Sequence, residues 1–164
     1  MKLIFLDIDG VLNDHVPHPN GVCGIKPSCV AEMNRILEAV PAAMIVVSSA
    51  WRYYIHNDFM TFEGFNLLLQ SHGLACHQRI HGVTKPDAET FRAEDHQAPY
   101  DVDLWRERGL RWRVKQILEF WAQEDYPPYV VIDDLPLAIN NLVQTDRNVG
   151  LTADLADEVI RRLQ

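Results

Sequence analysis

The sequence has no apolar run approaching the about 18 residues that a membrane span needs. It also has no excess of basic residues. Lys and Arg number 15 against 23 Asp and Glu, for a formal net charge of −8. That sign excludes strong non-specific binding to nucleic acid or anionic membrane, although a single phosphorylated group can still be held locally. Cysteine is scarce: Cys23, Cys29 and Cys76 are an odd number at no framework spacing. Met1-Lys2 leads straight into an apolar strand, so no signal peptide is expected. Internal repeats, low-complexity tracts and interdomain linkers are missing as well. Together these absences predict a soluble protein of a reducing compartment, the cytoplasm. At 164 residues a single domain over 1–164 is expected. Hydrophobic residues make up 48%, which supports a buried core and argues against disorder.

The chain is organised around residues 3–13, LIFLDIDGVLN. Leu3, Ile4, Phe5 and Leu6 form a run too short for a typical helix and suited to a fully buried strand. The run stops on Asp7-Ile8-Asp9-Gly10. Two carboxylates this close raise each other's pKa unless a cation lies between them. Gly10 lets the backbone turn at once. A hard divalent cation, Mg²⁺, held by oxygen ligands at the carboxyl edge of a sheet is the simplest physical reading. Taken alone, the pattern is better read as a strand ending in an acidic turn. The later strands reverse that.

A Pro/His/Gly loop follows over 14–26, and Pro27 suits an early helical position. Val30, Met33, Leu37 and Val40 recur at helical spacing until Pro41. Residues 43–47 form a second buried strand running into Ser48-Ser49-Ala50-Trp51-Arg52. Strand, helix and strand in this length make a βαβ unit with parallel strands. A helix is predicted over 65–71, stopped by Gly73, and a short strand over 75–80. Residues 84–108 are polar and without clear period, a long loop or a small inserted substructure; any insertion falls within 73–110. Val114, Ile117, Leu118 and Trp121 predict the next helix, broken by Pro127-Pro128. Residues 129–132 form an apolar strand ending on Asp133-Asp134. A short helix over 135–141, a strand over 142–145 and a last helix complete the pattern. Thr152 is placed to cap that helix, with Leu155, Val159, Ile160 and Leu163 on its buried face.

Strands alternating with helices predict an open α/β sheet covered on both faces. Ligands of such sheets sit outside the carboxyl ends of the strands. Here those ends carry Asp7/Asp9, Ser48/Ser49 and Asp133/Asp134, so chemistry from three strands meets in one crevice. Four acids, two serines and one or two bases suit phosphoryl transfer. A Mg²⁺ neutralises the charge of a substrate phosphate beside carboxylates. One Asp can then act as nucleophile through an aspartyl-phosphate, and a second can serve as acid and base. The Ser48 hydroxyl and nearby N–H groups can hold phosphoryl oxygens, and a Lys or Arg offsets the remaining charge.

With these motifs the chain resembles the haloacid dehalogenase (HAD) superfamily of phosphohydrolases. The resemblance rests on Asp7-Ile8-Asp9-Gly10-Val11-Leu12-Asn13, on MIVVSS ending at Ser48-Ser49, and on YVVIDD ending at Asp133-Asp134. Within the superfamily it looks most like the small HAD domains of Swiss Army Knife RNA repair proteins. SSAWR, the IDD strand and Thr145-Asp146 followed by Gly150-Leu151-Thr152 carry that closer likeness, which covers 1–52 and 113–164. It implies a Rossmann-like three-layer α/β/α fold with a mostly parallel central sheet. It implies Asp7 as nucleophile and Mg²⁺ ligand, and Asp9 as acid/base that binds the metal through its backbone carbonyl. Ser48, with Ser49 and Gly10, holds the phosphate, and Asp133 and Asp134 complete the metal site, with Asp134 the favoured direct ligand. For the basic residue, Arg113 fits the closer family, Lys115 fits the superfamily's usual Lys, and Lys85 ranks behind both. Too few residues lie between Asn13 and the first helix for a cap domain there, and no large cap fits between Arg52 and Arg113. An open site follows, suited to a small phosphorylated substrate or a phosphate on a nucleic-acid end.

The expected function is a Mg²⁺-dependent phosphatase acting on a phosphate monoester through an aspartyl-phosphate. Two other readings stay open: a free-nucleotide 5′-nucleotidase, and a catalytically silent phosphate- or metal-binding module that serves a partner. The intact Asp7/Asp9 pair argues against the silent module. Trp51 reads as core or pocket wall, Arg52 as a substrate contact or a surface residue, and Asn13 as a brace of the first loop or a plain turn residue. Asp146 ends a strand on the same edge and is better read as lying off the site. His72, Cys76, His77 and His81 match no closed zinc spacing and read as solvated or core residues. Trp112 and Trp121 lie among basic residues, but Trp121 at helical spacing reads as core.

Overall fold

Five short apolar segments pair into one parallel sheet: β1 (Lys2–Leu6), β2 (Ala43–Val47), β3 (Ile80–Val83), β4 (Tyr129–Asp133) and β5 (Leu142–Gln144). Their order is β3-β2-β1-β4-β5, and every pairing is parallel. The computed structural model describes residues 1–13, 24–85 and 102–164. A parallel sheet is buried on both faces, which is why its strands read as unbroken apolar runs. Leu3, Ile4, Phe5 and Leu6 of the central strand are all fully buried.

Successive side chains of a strand point to opposite faces, so each strand feeds two cores. Ile4, Leu6, Ile45, Val47, Val130 and Ile132 pack with residues of α1 (Pro27–Ala39), α3 (Phe62–Ser71) and α5 (Ala153–Leu163). Leu3, Phe5, Val46, Tyr129 and Val131 pack on the other face with Ile117 of α4 (Val102–Gln123). The result is a three-layer α/β/α arrangement. The chain runs outward from β1 to β2 and β3 on one side, then returns to β4 and β5 on the other. The strand order therefore reverses between β1 and β4, the place where such sheets hold their ligands.

Several elements differ from expectation. The strand expected over 75–80 begins only at Ile80. Residues 76–79 form a turn closed by the Arg79 N–H on the Cys76 carbonyl (2.8 Å), with Gln78 at φ +57°. The Arg79 guanidinium reaches back to the carbonyls of Leu37, Val40 and Ala43, satisfying groups that α1 leaves unpaired at its end. No helix forms over 135–141. Pro136 biases Leu135 away from helical backbone, and the Leu135 N–H goes to Asp133 Oδ1 instead (2.9 Å). Thr152 stands at the start of α5, but its side chain makes no capping bond.

Helix α4 begins at Val102, well before the expected stripe, because Leu110 and Val114 extend the packed face back from Ile117. Residues 86–101, where most of the expected loop or small insertion falls, lie outside the described residues. Leu118, expected in the core, is 38% exposed, whereas its neighbour Ile117 is fully buried. A short helix, α2 (Tyr53–His56), precedes α3 and continues from the turn Ala50–Arg52 that follows β2. Among the described residues no helix is long and apolar enough to cross a membrane.

The rotation of α4 is testable by two adjacent substitutions. Ile117→Ala should destabilise the fold by about 2–5 kcal/mol, the usual range for truncating a buried branched side chain. Leu118→Ala should stay within about 0.5 kcal/mol of the parent. Equal losses in urea denaturation would show that the helix presents a different face to the sheet.

Candidate active site

The first residue past, or at, the carboxyl end of each strand is polar. From one edge of the sheet to the other these residues are Thr84, Ser48, Asp7, Asp133 and Thr145, and all are buried. The ladder itself places them. The Thr84 N–H bonds the Val47 carbonyl, Ser48 N–H bonds Leu6, Asp7 N–H bonds Ile132 and Thr145 N–H bonds Asp133, at 2.9–3.0 Å. Backbone pairing thus fixes a row of hydroxyls and carboxylates before any side chain interacts.

Arg113 of α4 closes the centre of that row. Its Nη1 lies 2.6 Å from Asp7 Oδ2 and 2.8 Å from Asp133 Oδ2. The other oxygens are held by backbone: Asp7 Oδ1 accepts from the Ile8 N–H (2.8 Å) and Asp133 Oδ1 from Leu135. Burial pushes the Asp133 carboxyl up to about 6, and the charge of Asp7 adds to this, while Arg113 opposes it. Burial alone would lower the Arg113 pKa, but the two carboxylates outweigh it and hold the guanidinium firmly charged. Lys115 lies ~200° further around the helix. Its side chain is half exposed and sits 3.8 Å from Glu119. Lys85, the third base considered, is exposed just beyond Thr84.

Asp7, Asp133 and Asp134 each offer a carboxylate oxygen within 4.8 Å of the others. Among the described residues this is the one such group of acids, histidines or cysteines. Hard oxygen donors, two of them buried and the Asp133 carboxyl pushed upward by burial and by Asp7, suit a Mg²⁺ ion. The backbone of Gly10, at φ +77°, passes directly over Asp134, and a Cβ there would come within 2.8 Å of its side chain. Only glycine fits that approach. The Gly10 carbonyl accepts from the Thr145 hydroxyl (2.6 Å) and its N–H is donated to Asn13 Oδ1 (2.8 Å).

Asp9 faces elsewhere. Its Oδ1 accepts from Asn13 Nδ2 (2.8 Å) and its Oδ2 from the Trp51 indole N–H (3.0 Å). Asn13 therefore braces the first loop at two points, and Trp51 holds the acid rather than merely lining a wall. Of the residues expected at the phosphate, Ser48 carries a fully buried hydroxyl with no hydrogen-bond partner. Thr84 Oγ1, at the end of β3, is likewise buried without a partner, so two hydroxyls on this edge are available to a ligand. The Ser49 hydroxyl instead accepts from the Trp51 N–H (3.3 Å), capping the turn Ala50–Arg52.

Arg52 is buried and has no contact role at the surface. Its Nη1 donates to the carbonyls of Ser48 and Ser49 at 2.7 Å each, and Nη2 donates to Gln116 Oε1 (2.8 Å). Burial lowers its pKa. Gln116 went unnoticed in the sequence, yet it stands three residues after Arg113 and so on the same helix face. Thr145 also went unnoticed as a site residue, although it ends its strand as Ser48 and Asp133 end theirs. Asp146 is exposed and turned onto the Asn148 N–H (2.8 Å). His81 pairs with Glu124 (2.9 Å) and Cys76 is buried, so these residues point to different surroundings.

A family model described as the HAD domain in Swiss Army Knife RNA repair proteins matches residues 3–156. No curated protein and no solved structure matches the chain significantly.

Removing Arg113 leaves two buried carboxylates facing each other without a cation. Arg113→Ala should cost about 3–5 kcal/mol, the usual result of stripping one partner from a buried ion pair. Saturating Mg²⁺ should recover part of that loss, whereas Lys115→Ala should be nearly neutral. A thermal melt of Arg113→Ala indistinguishable from the parent would refute the pairing.

Proposed function

Because the chain belongs to the HAD domain family of Swiss Army Knife RNA repair proteins, we propose that it is a Mg²⁺-dependent phosphatase that hydrolyses a phosphate monoester through an aspartyl-phosphate. The observation that carries this reading is the different setting of two acids in one turn. Asp7 is buried and shares Arg113 with Asp133, while both Asp9 oxygens are turned to Asn13 and Trp51. Carboxylates in contrasting environments can take contrasting roles.

Asp7 attacks phosphorus, and the ester P–O bond breaks as its oxygen takes a proton from Asp9. Asp9, now a carboxylate, takes a proton from water. That water attacks the phosphorus of the aspartyl-phosphate, releasing inorganic phosphate and restoring Asp7. Asp7, Asp133 and Asp134 hold the Mg²⁺ when it is bound, and its charge offsets that of the substrate phosphate beside them. The Ser48 hydroxyl, unpartnered inside the protein, takes a phosphoryl oxygen. Arg113 fixes the Asp7 carboxylate and offsets charge developed in transfer. Arg52 and Gln116 hold the Ser48 peptide in place from behind. The substrate is a phosphorylated small molecule or the phosphorylated end of a larger one.

Chelation should abolish turnover of an aryl phosphate, and Mg²⁺ should restore it. Asp7→Asn should lose turnover and all covalent phosphoenzyme, because an amide is a poor nucleophile. Asp9→Asn should lose roughly 10²–10⁴-fold on esters that need a protonated leaving group. With an aryl phosphate, whose leaving group needs little protonation, it should accumulate phosphoenzyme. Acid-quenched labelling and peptide mapping read both variants. Label on any residue other than Asp7 contradicts the assignment, and a protein that binds Mg²⁺ but turns over nothing is a binding module instead.

A further inference from the structure

A cleft of about 320 Å³ opens beside Asp9. The segment just after β2 builds it, and four aromatic side chains, Trp51, Tyr53, Tyr54 and Phe59, line it with Asn57. Two of the rings face solvent to a degree that folding does not explain: Tyr54 is 50% exposed and Phe59 is 77% exposed. The other two are fixed. Trp51 donates its indole N–H to Asp9 and stands edge-to-face with Tyr54, ring centroids 6.2 Å apart. The Arg52 guanidinium sits over the Tyr53 ring, 4.9 Å from its centroid. The cleft thus has a rigid floor tied to the acid and an exposed aromatic rim.

We propose that this cleft is the leaving-group subsite and that it takes a planar nucleobase, stacked on Phe59 and Tyr54. The inference rests on the phosphatase reading for its connection to Asp9. The group that Asp9 protonates is the substrate oxygen on the far side of the phosphorus from Asp7. Whatever that oxygen carries must lie on the Asp9 side of the site, and this is where the aromatic walls are. Flat rings stack on every base without discriminating among them, and the Asn57 side chain offers a polar partner for a base edge. Net charge of −8 gives no basic track for a long phosphate backbone, so the contact is confined to one terminal unit. A free nucleotide and a nucleic-acid end present the same base and sugar phosphate to this cleft.

The test compares kcat/KM for three esters: adenosine monophosphates, a short oligoadenylate with a terminal phosphate, and glycerol phosphate. The parent should favour the adenosine esters over glycerol phosphate. Phe59→Ala should shrink that ratio roughly 5- to 100-fold, the range spanned by loss of one base-stacking ring, and Phe59→Tyr should keep it. Faster turnover of the oligoadenylate assigns the subsite to nucleic-acid ends, and faster turnover of the mononucleotide assigns it to free nucleotides. Equal losses on all three esters, or an unchanged ratio, overturn the proposal. Adenosine binding measured by calorimetry separates the two readings. A protein that hydrolyses none of the esters but binds adenosine, and loses that binding in Phe59→Ala, keeps the cleft and drops the phosphatase. One that hydrolyses glycerol phosphate and binds no adenosine does the reverse.

Discussion

One largely enclosed guanidinium holds the carboxyl edge of the sheet together. Asp7 and Asp133 end adjacent parallel strands, and the pairing of β1 with β4 brings them side by side whatever their charge. Like charges so close in a medium of low dielectric raise each other's pKa. Arg113, entering from the helix layer on one face of the sheet, bonds both carboxylates with a single nitrogen. The ion pair is therefore also a tertiary contact: it pins α4 to the switch point between β1 and β4.

A second arginine does comparable service one strand away. Arg52 lies behind the Ser48 and Ser49 peptides, bonding their carbonyls, and is itself held by Gln116 of the same helix. Helix α4 thus reaches both halves of the crevice, Arg113 toward the carboxylates and Gln116 toward the serines. Between these two contacts the Ser48 hydroxyl is buried and left without a partner, as is the Thr84 hydroxyl at the end of the neighbouring strand.

What was legible in the sequence follows from periodicity and strand ends. The apolar runs of β1, β2 and β4 are continuous because both faces of the sheet are covered, and each terminates in the polar residues that build the site. The less legible parts obey weaker rules. The start of β3 is hard to place because Arg79, a charged residue at the edge of an apolar stretch, is fixed by carbonyls at the end of α1 and the start of β2. The first turns of α4 carry Glu, Arg and Gly with little periodic signal, and Leu110 continues the packed stripe. Arg52 could not be placed from sequence, since its partners are backbone carbonyls that no residue type announces. Choosing between Arg113 and Lys115 by spacing alone was equally open, whereas helix rotation sends the two in nearly opposite directions.

The charge balance of the chain bears on how a phosphorylated substrate is recognised at all. An acidic surface does not steer an anion inward, and among the site's cations Arg113 and Arg52 are committed to carboxylates and carbonyls. Long-range attraction is thus a poor source of affinity here. Under the proposed function it comes from short-range terms: a divalent cation at the three aspartates, the Ser48 hydroxyl, and contact area beyond the phosphate. The aromatic rim beside Asp9 is the one part of the site that offers such area without requiring charge. Under that proposal selectivity comes from the leaving group rather than from the phosphate, because the phosphate is common to every monoester and the ring is not.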